Sequence, residues 1–372
     1  MRNSAMRPRA PPLSPFRPDA WHHNSEVWVS WDYVGYYIGW LFGEIRTFLL
    51  VANTPGQKIV LAIVVIALFV GVMALLLWLV DRPRNPRGWL VASVFAGPAL
   101  LLIGFGLVYP ALRTTYSSFY DRTSANFVGW DNYVRAFSES EFQIVLRNTA
   151  LWVFIVPIVA TAIGLVYAVL VDRTRFEKFA KTLVFMPMAI SMVGASIIWK
   201  FVYDHRQASS PQTGLINQVL VWIGLEPQQF LLMQPWNNLF LIAVMIWIQT
   251  GFAMTILSAS IRAIPDDIIE AARLDGLSGV SMFRYITVPS IRPALIVVVT
   301  TIAMATLKVF DIVRTMTAGN FGTSVVANEF YTQSFRYNDK GLGATLAVIL
   351  FVLVIPLVIY NVRQMRKVEE IR

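Results

Sequence analysis

The sequence predicts an all-α membrane protein, a polytopic helical bundle. Three observations predict it. Of its 372 residues, 56% are hydrophobic and only 14% are charged, against roughly a quarter charged in soluble domains. Apolar runs of about 20 residues recur, each long enough to cross ~30 Å of hydrocarbon. Lys and Arg concentrate in alternate connections between those runs, the signature of a topology set by the positive-inside bias. Soluble-enzyme readings are excluded on these grounds.

Residues 1–20 are rich in Pro and Arg, poor in large apolar groups, and lack the apolar core of a signal peptide. They read as a disordered cytoplasmic tail. Residues 21–57 contain WDYVGYYIGWLFGEIRTFLLVA at 31–52, with Gly35, Gly39 and Gly43 spaced for close helix contact in lipid. Glu44 and Arg46 are costly at a bilayer centre, and the apolar stripe Val34, Ile38, Leu41, Ile45 and Phe48 also suits a helix lying in the interface. Seven or eight spans therefore remain open. The clear ones are 58–80, an accessory span, then 89–112, 148–171, 183–203, 237–261, 294–313 and 343–361. Pro98, Pro157, Pro187 and Pro356 fall inside them and predict kinks.

The connections 81–88, 172–182 and 262–293, with the tail 362–372, hold fifteen Lys and Arg; the alternate connections, longer in total, hold eight. The first set is therefore cytoplasmic. An eighth span at 31–52 would also bring Arg2, Arg7, Arg9 and Arg17 to that side. The net charge of +9 anchors these loops and predicts contact with membrane lipid, not with nucleic acid.

Chemistry is limited by what is missing. The chain has no cysteine, and its three histidines, His22, His23 and His205, lie outside the apolar runs. Thiolate sites and a zinc cluster are excluded. No G-x-x-x-x-G-K-[ST] loop exists, so this chain cradles no nucleotide phosphate by that device.

One cytoplasmic insert stands out: IIEAARLDGLSG, residues 268–279. Pro265 suits a first helical position, and Asp266 and Asp267 suit the positive end of the helix dipole. Ile268, Ala271, Ala272 and Leu274 give one apolar side, while Glu270, Arg273 and Asp275 face outward. Gly276 ends the helix. Ser278 caps a second short helix carrying Phe283 and Ile286, which Pro289 stops. The result is a helix–turn–helix knob, which as a cytoplasmic loop needs no partner to exist.

The insert resembles the EAA loop (264–293 here) of binding-protein-dependent ABC transporter permeases. Glu270, Ala271, Ala272, Asp275, Gly276, Phe283, Ile286, Pro289 and Pro293 stand at the matching positions. FVGWDNY (Phe127–Tyr133), Asn148-Thr149, Phe185-Met186-Pro187, and Phe310-Asp311 with Met316-Thr317 are similar to the sugar-importing branch, over about 95–372. Leu277 departs from the usual alanine, and Ala318-Gly319-Asn320-Phe321 departs from the usual Gly-Gly-Pro turn.

The resemblance implies a type I importer core of six helices within a permease domain at 89–361, plus one or two extra N-terminal spans. It implies a coupling helix seated in an ABC ATPase dimer, which holds ATP and Mg while this chain binds no cofactor. It further implies a second permease, expected to make a heterodimer, a solute-binding protein outside, and a bacterial inner-membrane location. Glu270 would contact the ATPase electrostatically, Ala271 and Ala272 would permit close approach, and Gly276 would set the turn.

Sugars are held by aromatic faces and hydrogen-bonding groups. Trp199, Tyr203, Trp247, Gln249, Thr250 and Asp311 are the candidates in or at the ends of core spans. Three other readings compete. A secondary transporter or channel would need buried mid-span ionisable groups, which the core spans nearly lack. A membrane enzyme would need a convergent acid–base cluster, of which only Asp204 and His205 are visible. A scaffold that only binds ATPases would transport nothing itself.

Overall fold

A computed structural model of the chain describes residues 54–81, 88–172, 174–207 and 209–370. The expected N-terminal tail, and the helix or span at 31–52, lie outside the described residues. The chain divides into two compact units, Met1–Leu101 and Leu102–Arg372. In the first, α1 (Pro55–Asp81) is apolar on every side, and Leu68 and Phe69 stand exposed as expected of side chains that meet lipid. The second helix, α2 (Gly88–Ile103), accommodates Pro98 without ending.

The main further helices, among the described residues, follow in chain order. They are α3 (Tyr109–Ser117), α4 (Asp131–Ser138), α5 (Ser140–Val171), α6 (Glu177–Phe185), α7 (Met192–Val202), α8 (Leu215–Trp222) and α9 (Asn237–Arg262). Then come α10 (Asp266–Leu274), α11 (Gly279–Met282), α12 (Arg292–Leu307), α13 (Asp311–Met316), α14 (Val326–Tyr331) and α15 (Lys340–Glu370). Among the described residues, five helical runs are long and apolar enough to cross a membrane, and seven if each of two bent pairs counts as one. Seven matches the clear spans of the sequence.

The centre of the bundle is the α5–α9 crossing. Trp152, Val156 and Ala160 of α5 meet Leu241, Met245 and Met254 of α9 in one buried cluster. The helices can approach because Gly164 has no side chain: a Cβ there would lie 2.6 Å from the Ala253 Cβ. A buried indole N–H needs an acceptor, and Trp152 Nε1 donates to Asn238 Oδ1 at 2.7 Å. Asn361 of α15 likewise donates to Thr300 Oγ1 of α12 at 2.6 Å, so both helices satisfy polar groups internally, as a hydrocarbon surround requires. A smaller cluster joins Ala136, Phe142, Val145, Val326, Leu342 and Leu346.

Three sequence expectations need correction. The span at 183–203 is not one rod. Pro187 sits in a tight turn, Met186–Ala189, and the chain bends by 105° before α7, whose first turn is capped by Ser191 Oγ accepting from Gly194 N–H. The span at 294–313 ends early, at Leu307, and α13 starts afresh at Asp311. Lys308 and Asp311 therefore share no helical turn, and no ion pair joins them among the described residues. Pro289 does not stop its helix either. A wide turn over Phe283–Thr287 absorbs the missing N–H, and the helix runs to Ser290 before a 70° bend.

Candidate functional site

The knob forms where the sequence places it. Pro265, at φ −58 and ψ 136, precedes the helix by one residue, and Asp266 and Asp267 occupy the first turn of α10. The exit is a glycine-dependent turn: Gly276 lies at φ +83, and Leu277 N–H reaches back to the Ala272 carbonyl at 2.9 Å. A Cβ at Gly276 would touch nothing within 4 Å, so only the backbone conformation demands glycine here. Ser281 Oγ accepts from Ser278 N–H at 3.0 Å and closes the start of α11.

The knob's faces differ from the sequence reading in two places. Leu274, expected on the inner apolar side, is 90% exposed. Ala272, expected to lie open for a partner, is buried. This nine-residue helix packs through Ala272 and the half-buried Ile269, and its other positions stand exposed. Glu270, Ala271 and Asp275 are exposed, Phe283 and Ile286 are half-buried behind them, and Pro289 is exposed. A shallow cavity of ≈ 360 Å³ lies along this surface, bordered by Asp267, Ile268, Ala271, Ala272, Asp275, Leu277 and Ile286.

The base of the knob carries a network that sequence reasoning missed. Arg262, the last residue of α9, bonds Asp172 Oδ1 at 2.7 Å and also Glu177 Oε1. Lys181 Nζ lies 2.8 Å from Glu177 Oε1 and 3.7 Å from Asp172 Oδ1, and bonds Ser258 Oγ. Two cations and two carboxylates thus tie the end of α9 to the α5–α6 connection. Only the i,i+4 spacing of Glu177 and Lys181 was legible in the sequence.

The six candidate path residues divide. Trp199 meets Tyr203 (centroids 5.2 Å) and Trp247 (5.6 Å). Tyr203 is buried and donates from its hydroxyl to the Phe240 carbonyl at 3.1 Å. Trp247 and Thr250 line a cavity of ≈ 430 Å³ with Val159, Ile163, Tyr167, Leu183, Val184, Pro187, Ala243 and Ile246. Thr250 spends its hydroxyl proton on the Ile246 carbonyl at 2.7 Å. Gln249 and Asp311 do not border that cavity. Among the described residues, no group of three or more His, Asp or Glu side chains is placed to hold a metal ion.

The Asn148-Thr149 pair explains itself as an anchor. Asn148 Nδ2 donates to the carbonyls of Gly322 (2.7 Å) and Ser324 (3.0 Å), and Thr149 Oγ1 accepts from Val326 N–H at 2.9 Å. Asn237 Nδ2 adds a bond to the Phe321 carbonyl at 2.8 Å. These side chains hold a turn in which Ala318, Gly319, Phe321 and Gly322 all have positive φ. The departing residues of that turn thus adopt a conformation fixed by buried amides.

Comparison with known proteins gives this geometry its context. The family described as binding-protein-dependent transport system inner membrane component matches residues 143–368. The osmoprotective compounds uptake permease protein GgtC of Synechocystis sp. is 47% identical over 279 residues, covering 75% of this chain and 100% of that one. The alpha-glucoside transport system permease protein AglF of Rhizobium meliloti is 47% identical over 278 residues, covering 74% and 82%. In structure, the chain is similar to a bacterial ABC transporter involved in the import of the acidic polysaccharide alginate, at a TM-score of 0.64 and 22% identity over 75% of this chain and 96% of that one.

These relatives are transport subunits, not enzymes, and they do not favour a route that works without an ATPase. The chain therefore belongs to the binding-protein-dependent transport system inner membrane component family: it is a multi-pass permease subunit of an ABC importer.

Proposed function

We propose that this permease imports a small α-glycoside, forms the path with a second, non-identical permease, and is driven through the knob at 266–276 by an ABC ATPase dimer. ATP and Mg belong to that partner; this chain binds no cofactor. A solute-binding protein delivers the sugar on the opposite face. The transport domain is 89–361, the span at 58–80 is accessory, and the knob and the C-terminus face the cytoplasm of a bacterial inner membrane. The N-terminus shares that side.

The observation that carries the coupling role is the exposure of α10 beyond Ile269 and Ala272. A helix with Glu270, Ala271, Leu274 and Asp275 turned outward is shaped to enter a groove on another protein. The knob follows directly on α9, whose last residue Arg262 is tied to Asp172 and Glu177, so a push on the knob would reach both α9 and the α5–α6 connection. The sugar class rests on AglF, named for alpha-glucoside transport, and on the aromatic faces of Trp199, Tyr203 and Trp247.

Deleting 268–277 tests the coupling. The shortened chain should insert and purify normally but fail to retain the ATPase. Undiminished co-purification would refute the assignment.

A further inference from the structure

A cavity of ≈ 400 Å³ opens at the end of α9 remote from the knob. Its walls include Lys200, Asp204 and His205 around the end of α7, Gln229 and Phe230 ahead of α9, and Phe321 of the amide-held turn. The 26 residues of α9 separate cavity and knob by roughly 39 Å at 1.5 Å per residue. The two lie at opposite membrane faces. The volume falls within the roughly 300–1,000 Å³ of small-molecule sites.

Its polar groups are available. Among the described residues, no hydrogen bond or ion pair engages the Lys200 ammonium, the His205 ring or the Gln229 amide. Asp204 commits one carboxylate oxygen, Oδ2, to the Thr213 hydroxyl and leaves Oδ1 open. Charges of both signs with an amide match hydroxyl groups, which donate and accept, better than they match an anion or an apolar chain.

Its aromatic wall is held in place. Phe321 is 46% exposed at φ +58, a conformation that is costly for a non-glycine residue and persists where the surroundings fix it. The fixing bond is the one from Asn237 to its carbonyl. Phe230 contacts Tyr203 at 5.6 Å between centroids. From Tyr203 the ladder passes through Trp199 to Trp247, which borders the ≈ 430 Å³ inner cavity.

We infer that the outer cavity is a first station for the sugar, where Lys200, Asp204 and Gln229 take its hydroxyls and Phe321 takes its C–H face before it moves inward. This rests on the sugar-import reading above, and it adds a second binding site to the path.

The chain's lack of cysteine makes the test clean. Gln229→Cys and, separately, Phe321→Cys are assembled with the native ATPase, second permease and binding protein in proteoliposomes. Modification by a small thiol reagent is timed with the binding protein empty or loaded with maltose, sucrose or trehalose. Loaded binding protein should slow labelling at least about fivefold more than empty protein, the order of one hydrogen bond. Equal protection by empty and loaded protein would mean that protein alone covers the cavity and would overturn the station, as would no protection.

Lys200→Met with Gln229→Ala should lower sugar uptake about fivefold while the ATPase activity stimulated by loaded binding protein stays unchanged. A parallel loss of both would assign these residues to docking instead. Wild-type liposomes that import none of the three sugars would overturn the sugar reading itself, and the station with it.

Discussion

The two ends of α9 are built by opposite means. At the knob end, charge dominates and little is enclosed: Arg262 and Lys181 meet two carboxylates at the surface, Leu274 stands out in the open, and Gly276 turns in empty space. At the mouth end, Asn148, Asn237 and Thr149 are buried and grip backbone groups of a turn that the positive φ of Ala318 and Phe321 would otherwise disfavour. The contrast fits the proposed roles. A surface seated in a partner's groove needs only a rigid backbone and accessible side chains. A surface that shapes its own cavity requires buried bonds.

Substitutions at four positions test that contrast. The largest effect belongs to Asn148→Ala, which strips donors from two carbonyls. It should lower stability by about 1–3 kcal/mol, read as a fall in thermal midpoint in detergent of roughly 2–4 °C per kcal/mol. A fall no greater than at an exposed site would end the claim that amides hold the mouth. Gly276→Ala comes next. With no clash to meet, it should cost only the left-handed conformation, about 1–2 kcal/mol, and weaken ATPase retention, and Gly276→Asn should recover part of both.

Arg262→Ala removes a half-exposed pair of contacts and should cost about 0–1 kcal/mol. Its difference from wild type should shrink in 0.5 M salt, because screening at that strength reaches within a few ångströms; persistence would mean that the network is more enclosed than its exposure implies. The smallest effect is expected at Asp121, in the connection between α3 and α4. The Asn126 side chain, with Thr123 and the Ala125 N–H, holds its carboxyl well below the usual carboxylate range. A depressed folded value stabilises above the unfolded value, near about 4, and that contribution fades as pH falls below it. The thermal midpoints of wild type and Asp121→Asn should therefore differ most at neutral pH and converge in acid.

Much of the bundle was legible because hydropathy alone marks a span, and the knob was legible because Pro265, the paired aspartates and Gly276 act within one or two turns of chain. What escaped depends on distance or on cooperation. Asn148 and Gly322 are 174 positions apart, so nothing local announces that one clasps the other. The same holds for Arg262 and Asp172, 90 positions apart. An apolar Leu274 reads as inward; only the packing of α10 through Ile269 and Ala272 shows that it has nothing to face. Pro289 was read as a stop because the preceding wide turn, which removes the conflict, has no sequence signal of its own. Of the path candidates, Trp199, Tyr203 and Trp247 proved to be one ladder, whereas Gln249 and Asp311 were chosen for chemistry without a shared surface.

The 105° elbow between α6 and α7 has a geometric consequence. With their axes nearly perpendicular, α6 and α7 cannot both run along the bilayer normal, so one of the two must travel largely in the plane of the sheet of lipid.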